Sequence, residues 1–292
     1  MFSSNVDSLI ESKRLPSEQD TLHFLRRIRN CAVKSLWYEL ITYPKPGLVS
    51  LVDSGSHQDM DASTFYSSIV SLRHYFFHIA SLGLEGANFE LLRSSGLAAE
   101  SRMLDATGGV NTHRGAIFNL GMLAAAAAYR YMYSDTCRSL GEITVQTWGK
   151  ELALHHRKAG SHGDRVASMY HVGGAIEEAL SGYPSVYQLG LPVYRNILAQ
   201  TSSHELACIQ TFFTLLANVQ DTNLLHRGGW DGLKKAQDLS EAFLDIGGIY
   251  ANDWDMRALS VHQKLIELNL SPGGSADLLS ACLFIHNIEA DE

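Results

Sequence analysis

Apolar residues along this chain recur at three- and four-residue steps, the period of an amphipathic helix rather than of a strand. Leu22, Leu25, Ile28, Ala32, Leu36 and Leu40 form one such stripe. Ser17, with Asp20 three places on, opens it in a near capping box, and Pro44 and Pro46 stop it. Phe65, Ile69, Leu72, Phe76 and Ile79 mark a second helix, closed by Gly83. Asn88 is placed to cap a third, which runs to about Ala106. A fourth covers about 112–132 and is so rich in alanine that neighbouring helices can approach it closely. Further helical patterns span about 139–158, 203–219, 232–246, 253–268 and 275–288. Alternation of strand type appears only in scraps such as Ile143-Thr144-Val145. The pattern predicts an all-α fold, one multi-helix domain over residues 1–292, without internal repeats or a linker.

Polar residues collect between these helices. Segments 44–61, 107–115, 161–184, 221–229 and 271–277 are rich in Gly, Asp, His, Asn and Arg. Loops held by a rigid scaffold are where chemistry tends to sit. Five of them in one domain predict a shared, polar active-site cavity formed by inter-helix loops.

Composition narrows the partners. The 292 residues are 46% hydrophobic and 18% charged, an ordinary globular balance. A net charge of -8 argues against a broad electrostatic grip on nucleic acid. An anionic nucleotide then needs local Lys or Arg groups, helix N-termini or Mg²⁺ to reverse the sign of the field. Cys31, Cys137, Cys208 and Cys282 form no CxxC pair, and three of them sit in apolar helical runs, which favours reduced thiols. The first residues show no basic, then apolar, leader pattern, and the apolar stretch at 122–128 is too short for a bilayer. The expectation is a cytoplasmic protein that binds neither nucleic acid nor membrane.

The first polar segment reads Pro44-Lys45-Pro46-Gly47-Leu48-Val49-Ser50, followed by Asp53, His57, Asp59 and Asp61. Two prolines stiffen the chain around Lys45, which suits a fixed phosphate contact; the carboxylates offer oxygen ligands for Mg²⁺, and His57 a base. A plainer reading makes Asp61 a helix cap and Asp53 a turn former. The second, Thr107-Gly108-Gly109-Val110-Asn111-Thr112-His113-Arg114-Gly115, brings a Gly-Gly turn, His113 and Arg114 to a helix start, where free N–H groups favour an anion. It lacks the Gly-Lys-Ser/Thr ending of a P-loop. In the third, Ser161-His162-Gly163 precedes Gly173-Gly174-Ala175-Ile176-Glu177-Glu178, and Glu178 is a candidate base or metal ligand. The fourth, Asp221-Thr222-Asn223 with His226-Arg227-Gly228-Gly229, and the fifth, Ser271-Pro272-Gly273-Gly274-Ser275-Ala276-Asp277, read as further anion cradles or as ordinary caps.

Taken in order, PKPGLVS with DSGSHQDMD, TGGVNTHRGAIF, DTNLLHRGG and LSPGGSADLL resemble the triphosphoribosyl-dephospho-CoA synthase family over about residues 32–285. The run SHG with GGA…EEA…GYP is more similar to the malonate decarboxylase branch than to the citrate lyase branch. The resemblance implies an all-helical transferase in which the 2′-hydroxyl of 3′-dephospho-CoA attacks the anomeric carbon of ATP and adenine leaves. The product is the prosthetic-group precursor of an acyl carrier protein, attached by a second transferase. On this reading Lys45, Ser50, Asn111, Thr112, Arg114, Asn223, Arg227, Gly273, Gly274 and Ser275 hold the nucleotide. Asp59, Asp61 and Asp221 hold Mg²⁺, and His57, His113 and Glu178 move protons. One departure stands out: where the resemblance implies Gly-Ala-Arg, this chain reads Gly174-Ala175-Ile176, which implies weakened activity, a contact supplied instead by Arg165, or a changed acceptor. A Mg²⁺-dependent nucleotide N-glycosidase and a non-catalytic nucleotide-binding descendant are the rival expectations.

Overall fold

The computed structural model describes residues 16–133, 137–156, 169–170 and 172–289. Among them the secondary structure is helical, with no strand. The elements are α1 (Glu18–Ile41), α2 (Ala62–Leu84), α3 (Phe89–Ala106), α4 (Arg114–Met132), α5 (Leu140–His156), α6 (Gly174–Leu180), a π turn (Ser185–Gly190), α7 (Leu191–Thr201), α8 (His204–Asn218), α9 (Thr222–Asp245), a 3₁₀ turn (Gly248–Tyr250), α10 (Trp254–Glu267) and α11 (Gly273–Glu289). No helix of the described residues is long and apolar enough to cross a membrane.

The helix starts follow from local hydrogen bonding. Ser17 Oγ accepts from Asp20 N and Asn88 Oδ1 from Leu91 N, each at 3.1 Å. Asp61 opens α2 in a capping box with Thr64. Most expected helices stand within a residue or two of their predicted ends. The exceptions have causes. Thr222 to Arg227, expected as a loop, is the first part of α9, which kinks at Gly229 (φ 60, ψ -160). Asp221 supplies the cap, and only the glycine kink remains non-helical. The π turn and α7 were not foreseen, and Ile143-Thr144-Val145 lies inside α5.

α4 is the central helix. Ala124 to Ala128 are wholly buried, and the helix is covered by α1, α2, α3, α5 and α11. Its small side chains permit the close approach foreseen from composition. A β-carbon at Gly83 of α2 would overlap Ala125 O, and one at Gly121 would overlap the Tyr75 hydroxyl. At its N-terminal turn α4 is enclosed only in part: His113, Ala116 and Ile117 are buried, whereas the Arg114 side chain is 41% exposed.

Candidate active site

A cavity of about 640 Å³ opens at that turn. Three long helices begin on its wall: α4 at Arg114, α9 at Thr222 and α11 at Gly273. Their ends carry partial positive charge from aligned peptide dipoles, so the wall favours an anion. Among the described residues Arg93 and Arg114 are the cationic side chains that line it. Arg114 is ion-paired with Glu100, Nε donating to Oε1 at 2.6 Å and Nη2 beside the same oxygen, and both residues line the cavity. The lining also includes Ile79, Phe89, Leu92 and Met122, all on helices, so the cavity is formed by helix faces as much as by loops.

The helix starts are tied together by carboxylates. Asp221 is buried; its Oδ1 accepts from Asn223 N (2.9 Å) and Leu224 N (3.3 Å), and its Oδ2 from Ser275 N (2.7 Å) and Ser275 Oγ (3.0 Å). One carboxylate thereby caps both α9 and α11. Gly273 and Gly274 follow from this closeness: a β-carbon on Gly273 would stand 2.6 Å from Asn223 Nδ2, and one on Gly274 3.1 Å from Asp221 Oδ2. Burial pushes the Asp221 carboxyl up, against the pull of those donors.

Asp277, on the first turn of α11, crosses to the first turn of α4. A β-carbon at Gly115 would overlap its Oδ2, and the Ala116 N–H donates to it. Glu39 and Asp221 are its charged neighbours. Desolvation, then Glu39, then Asp221 raise its carboxyl well above the usual range. Across the cavity Glu178 accepts from Ser185 N (2.7 Å) and Ser185 Oγ (3.0 Å), and burial raises its carboxyl too. Two carboxyls with raised affinity for protons therefore face one space.

A second, small pocket of about 40 Å³ shares Asp277 and is lined by Glu39, Thr112, His113 and Gly273. His113 Nδ1 pairs with Ser68 Oγ at 2.6 Å, whereas its Nε2 and Thr112 Oγ1 have no partner. Burial, then Lys45, lowers His113 to about 3, so the ring is neutral.

Several expected site residues have other occupations. Lys45 is wholly buried, donating to Glu39 O at 2.6 Å and paired with the Glu39 carboxylate. Ser50 Oγ accepts from Val52 N at 3.1 Å in a turn. Arg227 donates to Ser56 O and Asn269 Oδ1, both at 3.0 Å, and stands 3.2 Å from His57 Nδ1. His57 Nε2 lies 2.8 Å from Ser271 Oγ, and burial, then Arg227, lowers its pKa. These contacts lock loop 44–61 onto the turn before α11. Neither His57, Arg227, Lys45, Ser50, Asp59 nor Asp61 lines the large cavity. Asn111, Arg114, Glu178, Asn223 and Gly274 do, and Asp221 forms part of the wall. Residues Ser161-His162-Gly163 and Arg165 lie outside the described residues.

The three carboxylates expected to share Mg²⁺ do not come together. Asp61 is an exposed cap whose oxygen accepts from Thr64 N and Ser63 Oγ, which lowers its carboxyl to about 2. Asp59 is exposed beside His57, and Asp221 already takes four donors. No group of three or more His, Cys, Asp or Glu among the described residues is arranged to hold a metal. The sequence pattern marks Asp277 only as part of a further anion cradle or an ordinary cap, and it does not mark Glu39 or Asn119. The signal available was Gly115, a glycine inside a helix start that needs close packing.

A helical scaffold with three helix starts and two raised carboxyls on one cavity offers an anion-binding site with groups able to exchange protons, as a group-transfer enzyme needs. The sequence comparisons agree. The model of the family described as ATP:dephospho-CoA triphosphoribosyl transferase matches residues 25–292, and the chain belongs to that family. It is 40% identical over 267 residues to the probable 2-(5''-triphosphoribosyl)-3'-dephosphocoenzyme-A synthase of Acinetobacter calcoaceticus, covering 90% of this chain and 91% of that one. It is 35% identical over 295 residues to the 2-(5''-triphosphoribosyl)-3'-dephosphocoenzyme-A synthase of Pectobacterium atrosepticum, covering 97% and 96%. No solved structure matches.

Proposed function

We propose that this chain joins the 5-triphosphoribosyl group of ATP to the 2′-hydroxyl of 3′-dephospho-CoA and releases adenine. The observation that carries this reading is the meeting of three helix N-termini and two carboxyls, both raised by burial, on one cavity. Arg114, Asn223 and the first turns of α4, α9 and α11 hold the triphosphate, which passes through the reaction intact. The bond between the anomeric carbon and adenine N9 breaks, its electron pair leaving with the base. The bond to the acceptor oxygen forms in its place. Glu178, as carboxylate, takes the proton of the acceptor hydroxyl, and Asp277, as carboxylic acid, gives one to departing adenine. Balanced in this way, adenine leaves neutral. The expected carboxylates do not fit a protein cage for Mg²⁺; a Mg²⁺ ion brought with the triphosphate would neutralise part of its charge, since small hard cations favour phosphate and water oxygens.

The product, on this proposal, is the prosthetic-group precursor of an acyl carrier protein, handed on by a second transferase. The Ser161-His162-Gly163 run with Gly173 to Pro184 supports assignment to malonate decarboxylase. The test is incubation with ATP, 3′-dephospho-CoA and Mg²⁺, with chromatography of adenine and mass analysis of the product. Equal amounts of adenine and triphosphoribosyl-dephospho-CoA are expected. Adenine without an acceptor-linked product assigns hydrolysis instead, and ATP binding without adenine release assigns a non-catalytic descendant.

A further inference from the structure

From Ala116 to Ala128, Asn119 is the one polar side chain on α4. It lies one turn beyond Gly115, on the wall of the large cavity, and is 1% exposed. Its Oδ1 has no hydrogen-bond partner. Buried polar atoms are nearly always paired, and an orphan acceptor is a cost to folding that leucine or alanine would avoid. An amide kept in this position has an acceptor to offer a donor on a ligand in the cavity. Its surroundings say which kind. Tyr75, Ile79, Ile117 and Met122 line the same stretch and offer apolar surface to a flat, weakly hydrated ring.

We propose that Asn119 recognises the base of the nucleotide, its Oδ1 accepting from the 6-amino group of a purine. This rests on the functional reading above, which sets the triphosphate at the start of α4. Ribose and base then extend along α4 past Gly115, and Asn119 is the next polar group on that face. Asparagine has the shape to pair with the amino edge of adenine, since one amide offers an acceptor and a donor side by side. An amide N–H of the pantetheine arm of dephospho-CoA is another donor of the same chemistry, and the arms of the experiment separate the two.

Equilibrium binding by calorimetry, without turnover, is the readout, so that a failure of the catalytic proposal leaves this one measurable. The wild-type chain is titrated with ATP, with purine riboside 5′-triphosphate, which lacks the 6-amino group, and with 3′-dephospho-CoA. Asn119→Leu receives the same three. The expected wild-type preference for ATP over the deaminated analogue is on the order of 10-fold. In Asn119→Leu it falls to within about 2-fold of unity, with dephospho-CoA affinity unchanged and a Tm no lower than wild type. A wild-type chain that binds both triphosphates equally overturns the proposal, whatever the variant does. So does a preference that survives in Asn119→Leu, or a loss confined to dephospho-CoA, which would assign the amide to the acceptor instead.

Discussion

Asp277 sits where three carboxylates and one lysine share an enclosed region: Glu39 is paired with Lys45, and Asp221 serves two helix caps. Adding a third negative charge there is unfavourable, which raises the carboxyl's affinity for a proton; in the proposed mechanism that proton goes to departing adenine. Asp277→Asn should lower adenine release by about 100-fold or more, the usual contribution of a positioned acid. The same variant should be more stable. A carboxyl whose pKa is raised on folding weakens the native state progressively as pH rises from the unfolded value towards the folded one. The gain in Tm should therefore be larger at pH 8 than at pH 4, by scanning calorimetry; an equal gain would show that Asp277 is not held protonated by its neighbours. Ile176, at the position where the resemblance implies an arginine, lines the same cavity. Ile176→Arg should tighten the binding of ATP or of dephospho-CoA on the order of 10-fold, the worth of a charged hydrogen bond, by titration calorimetry. Unchanged affinity for both would remove the idea of a missing contact.

At the scale of the element, the helix ends decide which polar residues can reach a ligand. Asp61 and Asp221 are both N-caps, yet α2 starts at the surface and α9 starts on the cavity wall. Asp61→Ala should lower the Tm and leave adenine release near the wild-type rate, because its oxygens serve Ser63 and Thr64. Loss of turnover in that variant, in parallel kinetic and calorimetric measurements, would restore Asp61 to a metal site. The caps at Ser17, Asn88 and Asp61 were legible because each hydrogen-bonds within four residues. The continuation of α9 through Thr222 to Arg227 was not, since the His-Arg-Gly-Gly run has the composition of a loop and only packing shows that the helix bends at Gly229. Likewise Arg227 reads as an anion contact and His57 as a base, but their partners lie in segments far apart in sequence.

For the molecule as a whole, burial of neutral His113 beneath α2 makes stability depend on pH. Its folded pKa of about 3 is below the ordinary 6.5, so its contribution is complete above 6.5 and is lost as pH falls towards 3. The Tm of the wild-type chain should fall more steeply across that range than that of His113→Gln, whose amide does not titrate. Parallel slopes would mean that the ring is not held neutral in the native state. By itself the sequence determined the helical class, most helix starts and the membership of the family, because side-chain period and capping act over a few residues. It also singled out Arg114, Glu178, Asn223 and Gly274, which do stand on one cavity. Only the tertiary structure decided that Lys45 is paired inside, that Asp277 meets Gly115, and that Asn119 lacks a partner. Those facts depend on which helix ends face each other across the interior, and packing of the whole chain around α4 sets that.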